Sequence, residues 1–201
     1  MSELERWEQR FAADGYLFGS EPNAFLKSQA SLLRPGMKAL SVADGDGRNG
    51  VWMAQQGLDV HAVDFSPTAQ AKARALAKSR GVTIRTEQVD LLHWDWPHEA
   101  YDAVVAIFIQ FAPPAERARM FEGMKQALRP GGVLLIEGYR PKQLDYGTGG
   151  PKNIEQLYTR EHLDSAFGDL AELDIREYDA EVDEGAGHSG MSALIDLIGR
   201  K

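Results

Sequence analysis

Apolar runs of strand length alternate along this chain with amphipathic stretches of helix length. Residues 3–13 predict a short helix, Asp14–Asn23 a loop, and residues 23–33 a second helix stopped by the Arg-Pro-Gly at Arg34–Gly36. Met37–Ala43 (MKALSVA) then reads as a buried strand, and a glycine-rich loop follows it. A helix is expected from about Arg48 to Gln56, ended by Gly57, since glycine readily takes the left-handed backbone past a helix end. Leu58–Asp64 alternates as a strand does. Ser66 and Pro67 supply an N-cap and a first-turn proline for a helix to about Arg80. Val82–Val89 is β-branched and strand-like, and Tyr101–Ile109 is an apolar run of the kind a central strand shows. Pro113 and Pro114 open a helix to Leu128, LRPGG ends it, and Val133–Tyr139 is the next strand.

Repeated strand–helix–strand units predict an open, mostly parallel sheet with helices on both faces. The tail breaks the alternation. After a helix near Ile154–Phe167 come two strand-like segments, about Ala171–Glu181 and Ser189–Ile198, separated by only VDEGAGH. A link that short cannot carry a helical crossover, so the pair is expected to be an antiparallel hairpin. The predicted fold is therefore α/β: a Rossmann-like, doubly wound sheet of seven strands, six parallel and one antiparallel. It is read as a single domain over 1–201, with a helical cap at 1–36 and the core at 37–201. Right-handed crossovers put the strands' carboxyl ends on one edge, where ligands bind.

Composition narrows the function. With 201 residues, 43% hydrophobic and 26% charged, the chain suits one ordinary domain with a sizeable core. A net charge of -8 makes nucleic acid or an anionic membrane a poor partner. The absence of cysteine excludes disulfides, thiolate catalysis and Cys-ligated zinc. The amino terminus has no apolar signal core and no apolar run spans a bilayer, so a cytoplasmic location is expected. No His and carboxylate spacing suggests a metal site.

The loop Gly45-Asp46-Gly47-Arg48-Asn49-Gly50 fits the dinucleotide pattern G-x-G-x-x-G, follows a strand and opens a helix. Asp64 ends the next strand, where a carboxylate can accept hydrogen bonds from both ribose hydroxyls. To this point NAD and S-adenosylmethionine fit equally. Asp44 and Asp46 flank Gly45, and a pyrophosphate beside them would meet roughly 1–4 kcal/mol of repulsion from each. A sulfonium and an ammonium tolerate those acids. Asp90 ends the third strand, where it can accept from an adenine amino group. A short-chain dehydrogenase would need Tyr-x-x-x-Lys, whereas Gln143 stands four residues after Tyr139. The candidate cofactor residues at this point are Asp44, Gly45, Asp46, Gly47, Asn49, Asp64, Asp90 and Ile107.

The segments LSVADGDGRNGVWMAQQGLDVHAVDFSP, QVDLLHW, YDAVVAIFIQF, LRPGGVLLIEGYRP and EGAGHSGMSALIDL together resemble the class I S-adenosylmethionine-dependent methyltransferases. The small bacterial branch similar to tellurite-resistance and thiopurine methyltransferases comes nearest. The resemblance runs from about residue 5 to the end. It implies the seven-stranded sheet with a final antiparallel hairpin, and S-adenosylmethionine as cofactor. It places the Gly-x-Gly element on Gly45-Asp46-Gly47, the ribose acid on Asp64 with Phe65 at the adenine, and the adenine-edge acid on Asp90 beside Leu91. Many class I enzymes read L-D-x-G-x-G-x-G here; this chain has Ser41 for that Asp and Ala43 for the first Gly. The loss of a loop-organising carboxylate at Ser41 reads as a variant of the branch, with weak cofactor binding as the alternative.

The expected acceptor is a small molecule, such as a chalcogen oxyanion or a thiol, because no added substrate domain is present. Tyr139, Arg140 and His188 are the candidate catalytic residues. Tyr139 and Arg140 open a glycine-rich loop to Pro151 on the ligand edge, which reads equally as a moving lid or a plain connection. His188, with Glu184, sits in the final hairpin turn at the same edge, where it can bind an anion or take a proton. Asp14, Tyr16 and Phe18 precede the core, and the resemblance implies that they fold over the cofactor, whereas Trp94 and Trp96 read as apolar cover. Two other readings stand beside methyl transfer: an NAD(P)-binding oxidoreductase, and a module that binds S-adenosylmethionine without turnover. Oligomeric state is not legible.

Overall fold

The computed structural model describes residues 2–185 and 187–201. Its sheet has seven strands: β1 (Lys38–Val42), β2 (Asp59–Asp64), β3 (Arg85–Gln88), β4 (Tyr101–Ile107), β5 (Leu128–Tyr139), β6 (Glu172–Asp183) and β7 (Ser189–Arg200). They lie in the order β3-β2-β1-β4-β5-β7-β6. Every pairing from β3 to β5 is parallel, and β7 runs antiparallel to both β5 and β6. The sheet is therefore the seven-stranded, mostly parallel one that the alternation of apolar runs predicts. Ala186, within the predicted hairpin turn, and Met1 lie outside the described residues.

The period of two along each strand sorts side chains onto two faces. Leu40, Val42, Val104, Ala106, Leu134 and Ile136 enter one core. Their neighbours Ala39, Ala103, Val105, Val133 and Leu135 enter the other. The first core is closed by α5 (Pro114–Ala127) and α7 (Arg160–Phe167), through Met120, Phe121, Met124, Leu163 and Phe167. The second is closed by α2 (Ala24–Ser28), α3 (Arg48–Gln55) and α4 (Pro67–Ser79), through Phe25, Leu26, Val51, Met53, Ala73, Leu76 and Ala77. Trp94 and Trp96 pack on the first core, Trp96 against Gly123 of α5, where a Cβ would come within 2.4 Å of the indole.

Several boundaries differ from the sequence expectation. The helix expected over 23–33 is only α2 followed by a 3-10 turn at Ala30–Leu32. Asn23 caps α2 by accepting from the Leu26 N–H. The strand expected over Val82–Val89 shrinks to β3, because as an edge strand it pairs only with His61–Asp64 of β2. The helix expected near Ile154–Phe167 splits at Leu157, which leaves α7 capped by Thr159. A short helix inside the glycine-rich loop, α6 (Gln143–Tyr146), carried no sequence signal.

α1 (Glu3–Phe11) begins with a reciprocal capping box between Ser2 and Glu5. Its Glu8 carboxylate sits at the amino end of α4, where it accepts from the Thr68 N–H, the Thr68 hydroxyl and the Ser66 hydroxyl. Free N–H groups and the helix dipole favour an anion there. Lys72 of α4 donates to the Gly15 and Ala13 carbonyls. These ties lay α1 across the carboxyl ends of β1 and β2.

Candidate active site

A cavity of about 590 Å³ opens at the carboxyl ends of the parallel strands, under α1. Its floor is the loop after β1. Gly45 and Gly47 take left-handed backbone, with φ of +60° and +95°. Gly47 also lies so close to α4 that a Cβ would meet Ala73 at 2.6 Å. Ala43 holds φ +48° where the family pattern has glycine. The loop thus keeps its shape without that glycine, at a cost of about 1 kcal/mol for a non-glycine residue.

The carboxylate that organises this loop is Asp44. Its Oδ1 accepts from the Ser41 hydroxyl at 2.6 Å and from the Gly50 N–H of α3 at 2.9 Å, while Oδ2 is buried without a partner. Ser41 therefore supports a carboxylate three residues later instead of supplying one. Asp64, at the end of β2, accepts from the Gly45 N–H at 2.9 Å and the Ser66 N–H at 2.8 Å. Each of its oxygens keeps a lone pair for a ligand. Asp46 accepts from the Leu17 N–H at 2.8 Å, tying the amino-terminal segment to the loop.

Burial, reinforced by the mutual charge of these acids, pushes Asp44 up to about 7 and Asp64 up to about 6 against the hydrogen bonds they accept. Burial raises Asp46 as well. Three crowded, under-compensated carboxyls form a site short of positive charge. Asp90 differs: it is exposed, accepts from the Leu92 N–H and pairs with His93 at 2.8 Å.

Of the ten candidate cofactor residues, nine line this cavity: Asp44, Gly45, Asp46, Asn49, Asp64, Phe65, Asp90, Leu91 and Ile107. Gly47 lies behind the loop as the N-cap of α3. Asn49 lines the cavity and also ties it to the amino-terminal segment, since its Oδ1 accepts from the Asn23 N–H at 3.0 Å.

The opposite end of the cavity is aromatic. His188 packs against Phe18 and Phe108, each with a centroid separation of 4.4 Å, and against Tyr139 at 5.7 Å. Phe108 stacks on Tyr139 at 4.6 Å and holds φ +56°, strained backbone for a bulky residue. Tyr139 is buried with its hydroxyl unpartnered, and burial together with the charges of Glu137 and Glu184 raises its pKa strongly. Gly149 and Gly150 cover it; a Cβ on Gly150 would meet its ring at 2.6 Å. Trp7, Arg10 and Phe11 form the roof, with Arg10 4.3 Å from the Trp7 ring centroid.

Arg140 departs from the sequence expectation. It stands outside the cavity, donates to the Leu194 carbonyl at 3.1 Å and pairs with Asp179 of β6. Lys142 and Tyr146 converge on the same carboxylate. Residue 139 of β5 faces the cavity and residue 140 faces away, as strand alternation requires. The loop that follows is pinned at its root: buried Gln143 donates to Thr148 and accepts from the Ala193 N–H. Phe18 reaches the cavity, Tyr16 packs into the second core and Asp14 is exposed.

Sequence reasoning missed Trp7, Arg10, Phe11, Phe108 and Arg48. The spacing of Trp7 and Phe11 on one face of α1 was the available signal for the roof. Arg48 pairs with Glu184 at 2.7 Å, both side chains being buried. Asn23 joins the pair by donating to Glu184 at 3.0 Å and to Glu137 at 2.5 Å. Among the described residues no group of three or more His, Cys, Asp or Glu is placed to hold a metal ion, and no helix is long and apolar enough to cross a membrane.

Residues 39–132 match a family model described as a methyltransferase domain. Over 142 residues the chain is 30% identical to glycine/sarcosine N-methyltransferase of Halorhodospira halochloris, a match that spans 67% of this chain and 48% of that protein. The chain spans about half the length of the curated relatives it matches. Among solved structures, one described as "Conversion of a Disulfide Bond into a Thioacetal Group during Echinomycin Biosynthesis" superposes with a TM-score of 0.76 at 18% identity, covering 100% of this chain and 94% of that one. The N-methyltransferase NodS from Bradyrhizobium japonicum WM9, in complex with S-adenosyl-L-homocysteine, gives a TM-score of 0.69 at 16% identity, covering 98% and 97%. At these identities the two structures show a shared fold.

Proposed function

The chain carries a methyltransferase domain of class I, whose cofactor is S-adenosylmethionine, and from that premise we propose that the protein methylates a small soft nucleophile, a thiol or a reduced chalcogen oxyanion. The observation that carries the reading is the two-ended cavity: a floor of three carboxyls at one end and an aromatic box around His188 at the other.

The floor fits the cofactor. Asp64 has one free lone pair on each oxygen for ribose hydroxyls, and the crowded acids favour a ligand that brings positive charge. Asp90, Leu91, Phe65 and Ile107 line the same cavity and would hold the adenine. When bound, the cofactor supplies a methyl group on a sulfonium, already a good leaving group. The protein's task is then to orient the acceptor and exclude water. Trp7, Phe11 and Phe18 do the second from above. Phe18, Phe108 and Tyr139 do the first, since polarizable sulfur-like atoms make favourable contacts with aromatic rings. A cavity of about 590 Å³ shared with the cofactor leaves room only for a small acceptor.

The same acids disfavour a pyrophosphate and hence the NAD(P) reading. The reading as a binding module without turnover rested on Ser41 and Ala43. Asp44 and the positive φ of Ala43 keep the loop in shape despite both changes.

The test has two arms. Calorimetry with S-adenosylhomocysteine is expected to show binding. Release of S-adenosylhomocysteine is then followed over tellurite, selenite, aromatic and aliphatic thiols, phenols and small amines. Turnover confined to amines would overturn the soft-nucleophile assignment, and absence of binding would overturn the cofactor assignment.

A further inference from the structure

One of the few buried side-chain polar atoms left without a partner among the described residues is Nδ1 of His188. It faces Oε2 of Glu184, which Arg48 already pairs, across 4.0 Å, with both side chains about one-tenth exposed. Unpaired buried polar atoms are rare, because each forfeits its hydration for nothing. A shift of about 1 Å in the His188 ring would bring Nδ1 to ordinary N–H···O distance from that carboxylate.

Glu184 is held firmly on its other sides. Its Oε1 accepts from the Ala24 N–H and the Asn23 amide, each at 3.0 Å, and its Oε2 lies 2.7 Å from the Arg48 guanidinium. Arg48 is itself fixed by donating to the Phe18 carbonyl at 3.2 Å. The carboxylate therefore cannot swing away, and the freedom to close the gap belongs to the imidazole. Nδ1 is the sealed nitrogen of that ring, so Nε2 is the one available to a ligand in the aromatic box.

We propose that Glu184 and His188 form a carboxylate–imidazole dyad in which Glu184 fixes the proton on Nδ1 and leaves Nε2 as the base for a protic acceptor. The proposal rests on the methyl-transfer reading above and narrows its substrate to one that arrives carrying its proton, such as a thiol. In the step His188 performs, the acceptor's S–H bond breaks, an N–H bond forms at Nε2, and the bonding pair stays on sulfur as the nucleophilic lone pair. The resulting imidazolium is stabilised by Glu184, which stays a carboxylate throughout. Glu184 acts as a positioning residue. The same logic of carboxylate, imidazole and nucleophile operates in serine hydrolases.

The electrostatics suit a base. Burial holds His188 below its ordinary pKa against the pull of Glu184, with Arg48 and Arg10 pushing the same way as burial, so the ring is neutral near pH 7. Burial acts to raise Glu184, but His188 and Arg48 outweigh it and hold the carboxyl down to about 2. The charged or titratable groups around the ring are Glu184 in its own turn, Arg48 on α3, Arg10 on α1 and Tyr139 on β5.

The first measurement reads the wild-type protein and needs no cofactor. Nitrogen-15 spectra of histidine-labelled protein, with His188 assigned by its loss in H188N, report which ring nitrogen carries the proton. The expected result is a protonated Nδ1 and a bare Nε2, the reverse of the tautomer that free histidine prefers. A protonated Nε2 in the wild-type protein would overturn the dyad, even with S-adenosylhomocysteine shown to bind. In the second measurement, Glu184→Gln is expected to lower kcat on a thiol about 10- to 100-fold with KM little changed and the limb of the pH profile assigned to His188 displaced. An unchanged pH profile in E184Q, or equal losses on a thiol and on an acceptor that arrives deprotonated, would also overturn it. Failure of S-adenosylhomocysteine to bind the wild type would instead strike the methyl-transfer reading.

Discussion

Replacing Asp64 by Asn removes one negative charge from the cavity floor while keeping an oxygen able to accept from Gly45 or Ser66. In the wild type the two carboxylate oxygens accept from those N–H groups at 2.9 and 2.8 Å, and each can accept once more. Asn retains one such oxygen. A bound ribose therefore loses one acceptor outright and finds the other uncharged. Hydrogen bonds to a charged group contribute about 1.5–3 kcal/mol against about 1 for neutral ones, so the expected loss is roughly 2–3 kcal/mol, or about 30- to 150-fold in Kd. The pH dependence sharpens the test. Asp64 ionises at about 6 in the empty protein, and hydroxyl donors favour its ionised form. Wild-type affinity for S-adenosylhomocysteine should fall as pH drops through that value, while the Asn variant lacks this component. Calorimetry on both proteins at pH 8 and pH 5 gives four dissociation constants. The ratio of variant to wild type should be large at pH 8 and shrink at pH 5. A ratio below about threefold at pH 8, or one that does not change with pH, would refute the ribose assignment.

Ala43→Gly should raise stability by about 1 kcal/mol, since the substitution relieves φ +48°, whereas Gly47→Ala should lower it by more through φ +95° and contact with Ala73; urea unfolding that ranks the two the other way would contradict the loop geometry. Asp44 ionises near 7 when folded and near 4 when unfolded, so the folded state holds a proton that the unfolded chain has lost. Its contribution to stability is full below about 4 and is lost as pH rises through about 7, amounting to at most about 4 kcal/mol. Denaturation of wild type and Asp44→Asn from pH 5 to 8 should show the variant gaining on the wild type towards pH 8; a constant difference would refute the assignment.

Much of this architecture was legible from local signals. The two-residue period of the strands and the proline and glycine punctuation of the helices act over a few residues. Strand number, the antiparallel tail and the place of the glycine loop followed from them. The floor of the cavity was legible for a related reason: in a parallel sheet the residue after each strand reaches the same edge, so Asp44, Asp64 and Asp90 fell together once the strands were placed. Edges were less legible. β3 is short because it has one neighbour, and the end of α2 at Ser28 was not legible because the local pattern does not distinguish a helix from the 3-10 turn that follows.

The tertiary structure alone decided what surrounds the acceptor. The Glu8 contact with Ser66 and Thr68 spans about 60 residues of chain and lays α1 over the floor. Asn23 and Glu184 are 161 positions apart, yet their hydrogen bond fixes the carboxylate that faces His188. Arg140 shows the converse: sequence proximity to Tyr139 suggested a shared site, and strand alternation sent it to Asp179 instead. Periodicity and turn chemistry are written in neighbouring residues and so are readable in order. A buried polar cluster is assembled from segments whose only relation is that the folded sheet brings them together.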